Sequence, residues 1–416
     1  MISPLVLRMN EIRGRFAHVD SDPFTGPRIF FENAGGALTL KSVVETSATY
    51  AAIPDNQGRE NAAAGALADV IAQAKSDIMT FFNAQDGQVF VGESGTELLF
   101  RLIRTACMGA GQGAVIGSTV EHPASRSAAQ HWAKRAGLDY IAVPHLDAEG
   151  LVSAEGYADH MRSDVKVATI LHTSPVTGMR NDIGAITDAI RAKSQEAFII
   201  VDGIQHASHG HIDLLEADVD GYVISPYKVF SRHGYGVAWV SERLSRLPLE
   251  ALIDGPAEHW ELGTRDTGAY ATMSDVVSYF EWLGSEADGS ARAKIDLAGQ
   301  VIQAHEAGLA DAMLYGVSNL AGLAEFDGVT IIGGPENRAR EGLVTFALES
   351  RPAAGLVADL NARGVRTHIR KADHYSGNIL CPLGLSSAVR VSMCHYNTME
   401  EVTAFLAAMK EIVEQS

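Results

Sequence analysis

The sequence predicts an α/β fold whose strand ends carry the chemistry, followed by a smaller α+β unit. Three observations support this. Short apolar runs bounded by Gly and Pro, Phe198-Ile199-Ile200-Val201, Tyr222-Val223-Ile224 and Gly236-Val237-Ala238-Trp239-Val240, read as buried strands. Strand and helix periodicities alternate along the chain, as in successive βα units. At 416 residues the chain is too long for one small core and suggests two domains.

Residues 1–28 are mixed in character, with Pro23 and Pro27 breaking any period, and are expected over the surface of the second domain. Ile29-Phe30-Phe31-Glu32 reads as a short strand leading into Asn33-Ala34-Gly35-Gly36, small residues that form a tight turn or let backbone approach a ligand. Leu67, Val70, Ile71, Ala74 and Ile78 recur at helical spacing over 61–82. Gln88-Val89-Phe90-Val91 is a strand, followed by Gly92-Glu93-Ser94-Gly95-Thr96 and an apolar helix to about Met108. A strand, a small-residue turn and a helix N-terminus form an anion site, because free N–H groups and the helix dipole favour a phosphate. Ordinary capping by Ser94 or Thr96 would use the same residues. Gly109-Ala110-Gly111-Gln112-Gly113-Ala114 imitates a dinucleotide fingerprint but follows a helix, the wrong context, and reads as a helix-ending turn.

Glu121-His122-Pro123 follows the strand Ala114-Val115-Ile116; His122 by itself reads as a loop or core histidine. Strands at 140–143 and 167–171 and a helix over 183–193 lead to the central stretch. There Val201 is followed by Asp202-Gly203-Ile204-Gln205, and Ile224 by Ser225-Pro226-Tyr227-Lys228. Both charged residues stand at or just past strand C-termini, where open α/β sheets bind ligands. A lysine can condense with an aldehyde cofactor, and pyridoxal phosphate needs a carboxylate to keep its ring nitrogen protonated so that the ring accepts electrons. By residue type alone the pair also reads as a turn carboxylate and a solvated lysine. The pattern over 272–318 is helical. Beyond it, strands at 329–332, 343–347 and 389–392 alternate with helices, the last starting at the capping box Thr398-Met399-Glu400-Glu401.

A net charge of −18 argues against nucleic acid or an anionic membrane as main partner. Cys107, Cys381 and Cys394 have no metal-ligand spacing and read as reduced thiols. With no secretory signal pattern and no spanning apolar run, a soluble cytoplasmic protein is expected, without metal.

The string Val201-Asp202-Gly203-Ile204-Gln205, Ile212-Asp213, Asp220-Gly221-Tyr222, Ser225-Pro226-Tyr227-Lys228 and Gly234-Tyr235-Gly236-Val237 resembles the class V aminotransferase family of pyridoxal phosphate enzymes, and most closely its cysteine-desulfurase-like branch. The resemblance covers about Phe30 to about Val413. It implies the fold type I architecture of such enzymes: a mostly parallel seven-stranded sheet in a large domain, 29–285, and a small α+β domain from 1–28 and 286–416. It implies Lys228 as the Schiff-base lysine and proton carrier, Asp202 on the ring nitrogen, Gln205 on the ring hydroxyl and His122 stacked on the ring. Ser94, Gly95, Thr96, Ser225 and Tyr227 would surround the phosphate. Asn33 and Arg390 would hold the substrate, Arg390 by its α-carboxylate. Thr264, in Trp260-Glu261-Leu262-Gly263-Thr264, would reach the partner's phosphate in a homodimer with composite sites; from the residues alone that stretch could equally cap a helix.

Two departures matter. The branch's Asn near Pro175 is absent, and counting back from Arg390 puts Tyr375 where desulfurases carry their nucleophilic Cys. A tyrosine cannot accept sulfur as a persulfide, and Cys381 would need a loop shift to serve. The expectation is therefore a β-eliminating C–S lyase acting on an amino acid. An aminotransferase or an epimerase is the alternative, and a non-catalytic binding protein a remote one.

Overall fold

The computed structural model describes residues 4–255, 259–264 and 266–414. After the N-terminal segment come α1 (Ala62–Phe82), β1 (Gln88–Gly92), α2 (Gly95–Gly109), β2 (Ala114–Ser118), α3 (Pro123–Ala136), β3 (Asp139–Val143) and β4 (Val165–Leu171). Then follow α4 (Ile183–Lys193), β5 (Phe198–Asp202), β6 (Gly221–Ile224), β7 (Gly236–Val240), α5 (Thr267–Leu283) and α6 (Ala291–Tyr315). The C-terminal part holds β8 (Val329–Ile331), β9 (Leu343–Leu348), α7 (Ala353–Ala362), β10 (His368–Lys371), β11 (Ser387–Ser392) and α8 (Met399–Glu414).

The seven-stranded sheet has the order β1-β7-β6-β5-β4-β2-β3. Only β7 is reversed, antiparallel to both its neighbours. Alternate residues along each strand face opposite layers, as the period of two requires. Val115, Val167, Ile200 and Val223 join Leu98 and Leu102 of α2 and Ala128 of α3. Ile116, Ala168, Ile199 and Ile224 pack with Ile78 of α1, Ile186 of α4 and Val276 of α5. Covered on both faces, the central strands are apolar at most positions, which is why they read as nearly continuous runs; Ser118, Thr169 and Asp202 are buried exceptions. The 109–114 segment does end α2 and lead into β2.

The antiparallel sheet β8-β9-β11-β10 forms the core of the smaller unit with α7, α8 and the second half of α6. The capping box forms as expected: Glu401 N donates to Thr398 Oγ1 at 3.3 Å and Thr398 N to Glu401 Oε2 at 3.0 Å. Two features of the N-terminal region differ from expectation. Ile29 and Phe30, assigned to the larger unit, pair in parallel with Val365 and Arg366, and Phe31 is buried in the smaller unit's core. Phe16, in the segment expected over the second domain, packs against that domain's Tyr396 but also edge-on to Phe230 and Tyr279 of the larger unit. Both partnerships join positions far apart in sequence, and no local period announces them. No helix among the described residues is long and apolar enough to cross a membrane.

Candidate active site

The parallel strands all end on one edge, and their loops converge there. The β1–α2 turn brings Thr96, the β2–α3 turn His122, the end of β5 Asp202 with Gln205 after it, and the end of β6 Ser225, Tyr227 and Lys228. These side chains line one cavity with Leu171, Thr173, Pro175 and Ile204. A larger hollow of about 550 Å³, bounded by His172, Arg180, His206 and His211, offers no amine among its walls. Its His172 is engaged with Tyr222 Oη and its His206 with Glu341.

Lys228 is 8% exposed, and its Nζ donates to Gln205 Oε1 at 3.1 Å. Burial pushes its ammonium down to about 7, with Arg390 adding to the fall and Asp202 opposing it. Much of the amine is therefore unprotonated near neutral pH, the form that attacks a carbonyl. Asp202 accepts from Ser125 Oγ at 3.2 Å and from Ile204 N at 3.1 Å. Burial raises its carboxyl, while the Ile204 N–H, Lys228 and Ser125 oppose that rise. His122 caps α3, its Nδ1 accepting from Ala124 N at 3.2 Å. Burial first, then the positive charges of Lys228 and Arg370, press the imidazole down to about 3, so it is neutral at ordinary pH.

The turn at the start of α2 is tight. Ser94 Oγ accepts from Glu97 N at 3.1 Å, so the capping role is filled. At Gly95 a Cβ would fall 2.4 Å from Ser225 Oγ, and at Gly236 one would fall 2.5 Å from the Ser94 carbonyl carbon. The carboxylate of Glu97 is drawn off by Arg101 and by Glu93 N, leaving a cradle of backbone with Thr96 and Ser225 beside it. Tyr227 lines the cavity and stacks on His233 with centroids 4.5 Å apart.

Arg390 lies on β11, 3% exposed, and its Nη1 donates to Pro175 O at 2.8 Å. Its Nε is buried without a partner. Burial and Arg370 push the guanidinium down to about 9, still charged near neutral pH. A desolvated fork of donors with an unmatched N–H suits a carboxylate. An amine, a buried carboxylate, a backbone cradle and this guanidinium together fit pyridoxal phosphate with an amino-acid substrate.

Two expected residues stand apart. Asn33 does not face the cavity: its Nδ2 donates to Ser392 O at 2.8 Å and Asn397 Oδ1 at 3.1 Å, and its Oδ1 accepts from Tyr396 Oη. Its amide is fully engaged within the protein, and Gly35 is the residue of that turn nearest Arg390. Thr264 lines a separate hollow with Tyr50, Asp266 and Gly268. Ser125 and Arg370 are residues that the sequence reading missed. Ser125 lies three positions after His122 and could have been found by asking which hydroxyl the motif carries with it. Arg370 depresses His122, Lys228 and Arg390 from the neighbouring strand, with no sequence signal. Tyr375 is half exposed, its ring centroid 6.1 Å from that of His122, and Cys381 is exposed.

A family model described as Aminotransferase class-V matches residues 29–405. The chain is 27% identical over 407 residues to a probable cysteine desulfurase of Xylella fastidiosa, covering 93% of this chain and 91% of the relative. It is 26% identical over 404 residues to another from Halobacterium salinarum, covering 92% and 91%. Among solved structures, a cysteine desulfurase from Thermococcus onnurineus shares the fold, with a TM-score of 0.83 and 21% identity over 100% of this chain and 99% of that one.

Proposed function

The chain belongs to the aminotransferase class-V family of pyridoxal phosphate-dependent enzymes, and from that premise we propose that it cleaves a carbon–sulfur bond of an amino acid by β-elimination, releasing the sulfur as a small molecule. The observation that carries the proposal is Tyr375 beside His122, at the position that counting from Arg390 gives to the sulfur-accepting cysteine.

Lys228 would hold the cofactor's aldehyde, Asp202 its ring nitrogen, Gln205 its hydroxyl, His122 its ring face, and Ser94, Gly95, Thr96, Ser225 and Tyr227 its phosphate. Bound there, pyridoxal phosphate supplies a sink for the electron pair left at the substrate's Cα. Arg390 orients the substrate by its carboxylate. The Lys228 amine, freed when substrate enters, takes the Cα proton; an amine titrating near 7 can both take and return it. Loss of the sulfur substituent from Cβ with its bonding pair, the Lys228 proton passing to that sulfur, would leave an enamine that takes up water to give a keto acid and ammonia. We assign the working form as a homodimer in which Thr264 reaches the partner's phosphate.

The test is a product balance with cysteine and related sulfur amino acids. Pyruvate and sulfide in equal amounts, without alanine, are expected, and they should persist when Cys107, Cys381 and Cys394 are all replaced by Ala. Alanine formation lost with Cys381→Ala would return the reading to a persulfide desulfurase. Keto-acid exchange without sulfide would make it an aminotransferase.

A further inference from the structure

Behind Lys228 a buried line of polar side chains leads away from the cavity. Lys228 Nζ donates to Gln205 Oε1, Gln205 Nε2 lies 3.1 Å from His209 Nε2, and His209 Nδ1 lies 2.7 Å from Glu306 Oε2. His209 comes from the turn after β5 and Glu306 from the middle of α6, and each side chain is 2% exposed. The other oxygen of Glu306, Oε1, is buried without a partner. Packing an imidazole and a carboxylate here costs more than packing apolar side chains of the same size. Their position, one amide away from the reacting amine, points to an action on that amide.

The two ends of an amide have the same shape and opposite hydrogen bonding. What Gln205 shows Lys228 is therefore set by what lies at its far end. When the pair holds one proton, between Nδ1 and Glu306, His209 Nε2 can only accept. Gln205 then turns its N–H to His209 and its carbonyl to Lys228, the arrangement seen. When the pair holds a second proton, Nε2–H can only donate, and the amide must turn end for end. Its N–H groups then face Lys228.

We propose that His209 and Glu306 are positioning residues that set which end of the Gln205 amide faces Lys228 and the cofactor. The proposal rests on Lys228 as the residue that holds pyridoxal phosphate. Other ionisable groups bear on the pair. Glu341 favours the second proton and Lys228 opposes it. Burial keeps Cys394 a thiol and His305 and His395 neutral.

The test compares Glu306→Gln, His209→Phe, Gln205→Ala and the double variant Gln205→Ala/Glu306→Gln, each loaded with pyridoxal phosphate. The readouts are the pH midpoint of the visible absorbance, the cofactor dissociation constant and the melting temperature. Glu306→Gln keeps the shape and removes the charge that supports the second proton. In the parent, uptake of the second proton during the titration turns the N–H end toward Lys228; in Glu306→Gln the carbonyl end stays there and stabilises a protonated nitrogen, so the midpoint should rise by about one pH unit, tenfold in the proton equilibrium. With His209→Phe the amide loses its anchor and the cofactor should bind roughly tenfold more weakly. Because the effect passes through Gln205, the double variant should have the midpoint of Gln205→Ala alone. An undisplaced midpoint in a folded Glu306→Gln protein, or the same displacement on the Gln205→Ala background, would overturn the proposal. A visible band that survives Lys228→Ala would overturn the assignment of Lys228 instead, and is read on that separate variant.

Discussion

The strand-end edge that carries Asp202, Gln205 and Lys228 and the loop over 372–384 meet near His122, and they are held in opposite ways. On the edge, Asp202, Gln205 and Lys228 are buried and each is fixed by a protein hydrogen bond. In the loop, Tyr375 and Cys381 are exposed, and anchoring falls to their neighbours: Ser376 Oγ accepts from Arg370 Nε at 2.8 Å and Asn378 Nδ2 donates to Thr119 O at 2.7 Å. The difference separates two tasks. Forming and stabilising a Cα carbanion needs fixed charges in a dry site. On the proposed function, what accepts the leaving sulfur would depend on the group that the loop presents, and an exposed loop can change that group at little cost to the core.

If the edge carries the shared chemistry, the largest loss comes from Lys228→Ala. Turnover should fall by about 10⁴-fold or more, together with the visible band and any cofactor fixed by borohydride, while the melting temperature changes little. A reducible protein linkage remaining in that variant would identify another lysine. Asp202→Asn should keep the cofactor and lose about 10²–10³-fold in turnover, since an amide cannot hold the ring nitrogen protonated. Near-normal rates, with chemistry limiting, would remove Asp202 from its role.

A smaller effect tests the amine itself. Only the unprotonated Lys228 attacks an aldehyde, and burial sets that amine at about 7. Cofactor uptake by the stripped protein, followed by the growth of visible absorbance, should fall about tenfold per pH unit below that value and level off above it. A flat profile across that range would mean that the lysine is not depressed. The loop should respond least: Cys381→Ala should stay within about twofold of the parent rate, and a dead but folded, cofactor-loaded variant would place sulfur transfer on that thiol.

Legibility in the sequence followed the same division. Asp202 closes an apolar run and Lys228 follows one by four residues, so both could be placed at strand ends from local signals, whereas the roles proposed for them came from the resemblance of the whole string. The turn at Ser94-Gly95-Thr96, between a strand and a helix, could be placed by the same kind of local signal. The engagement of the Asn33 amide could not be read, because the groups that hold it lie at Ser392, Tyr396 and Asn397, at the other end of the chain. Arg370 went unseen because its effect on His122 and Lys228 depends on pairing β10 with β11, which no periodicity states. The His209–Glu306 pair is of the same kind, joining a turn to a helix about a hundred residues away.

The reversed strand β7 has a consequence for how the cofactor edge can drift over generations. Gly236 opens that strand directly against the Ser94–Gly95 backbone, and Gly95 in turn lies against Ser225. Three segments far apart in the chain are thus set at separations smaller than a methyl group allows. At these two positions residue identity is dictated by clearance rather than by reactivity. They work as a gauge: a side chain on either one would widen the turn from the inside and leave Lys228 and Asp202 in place but mis-spaced from whatever the turn holds.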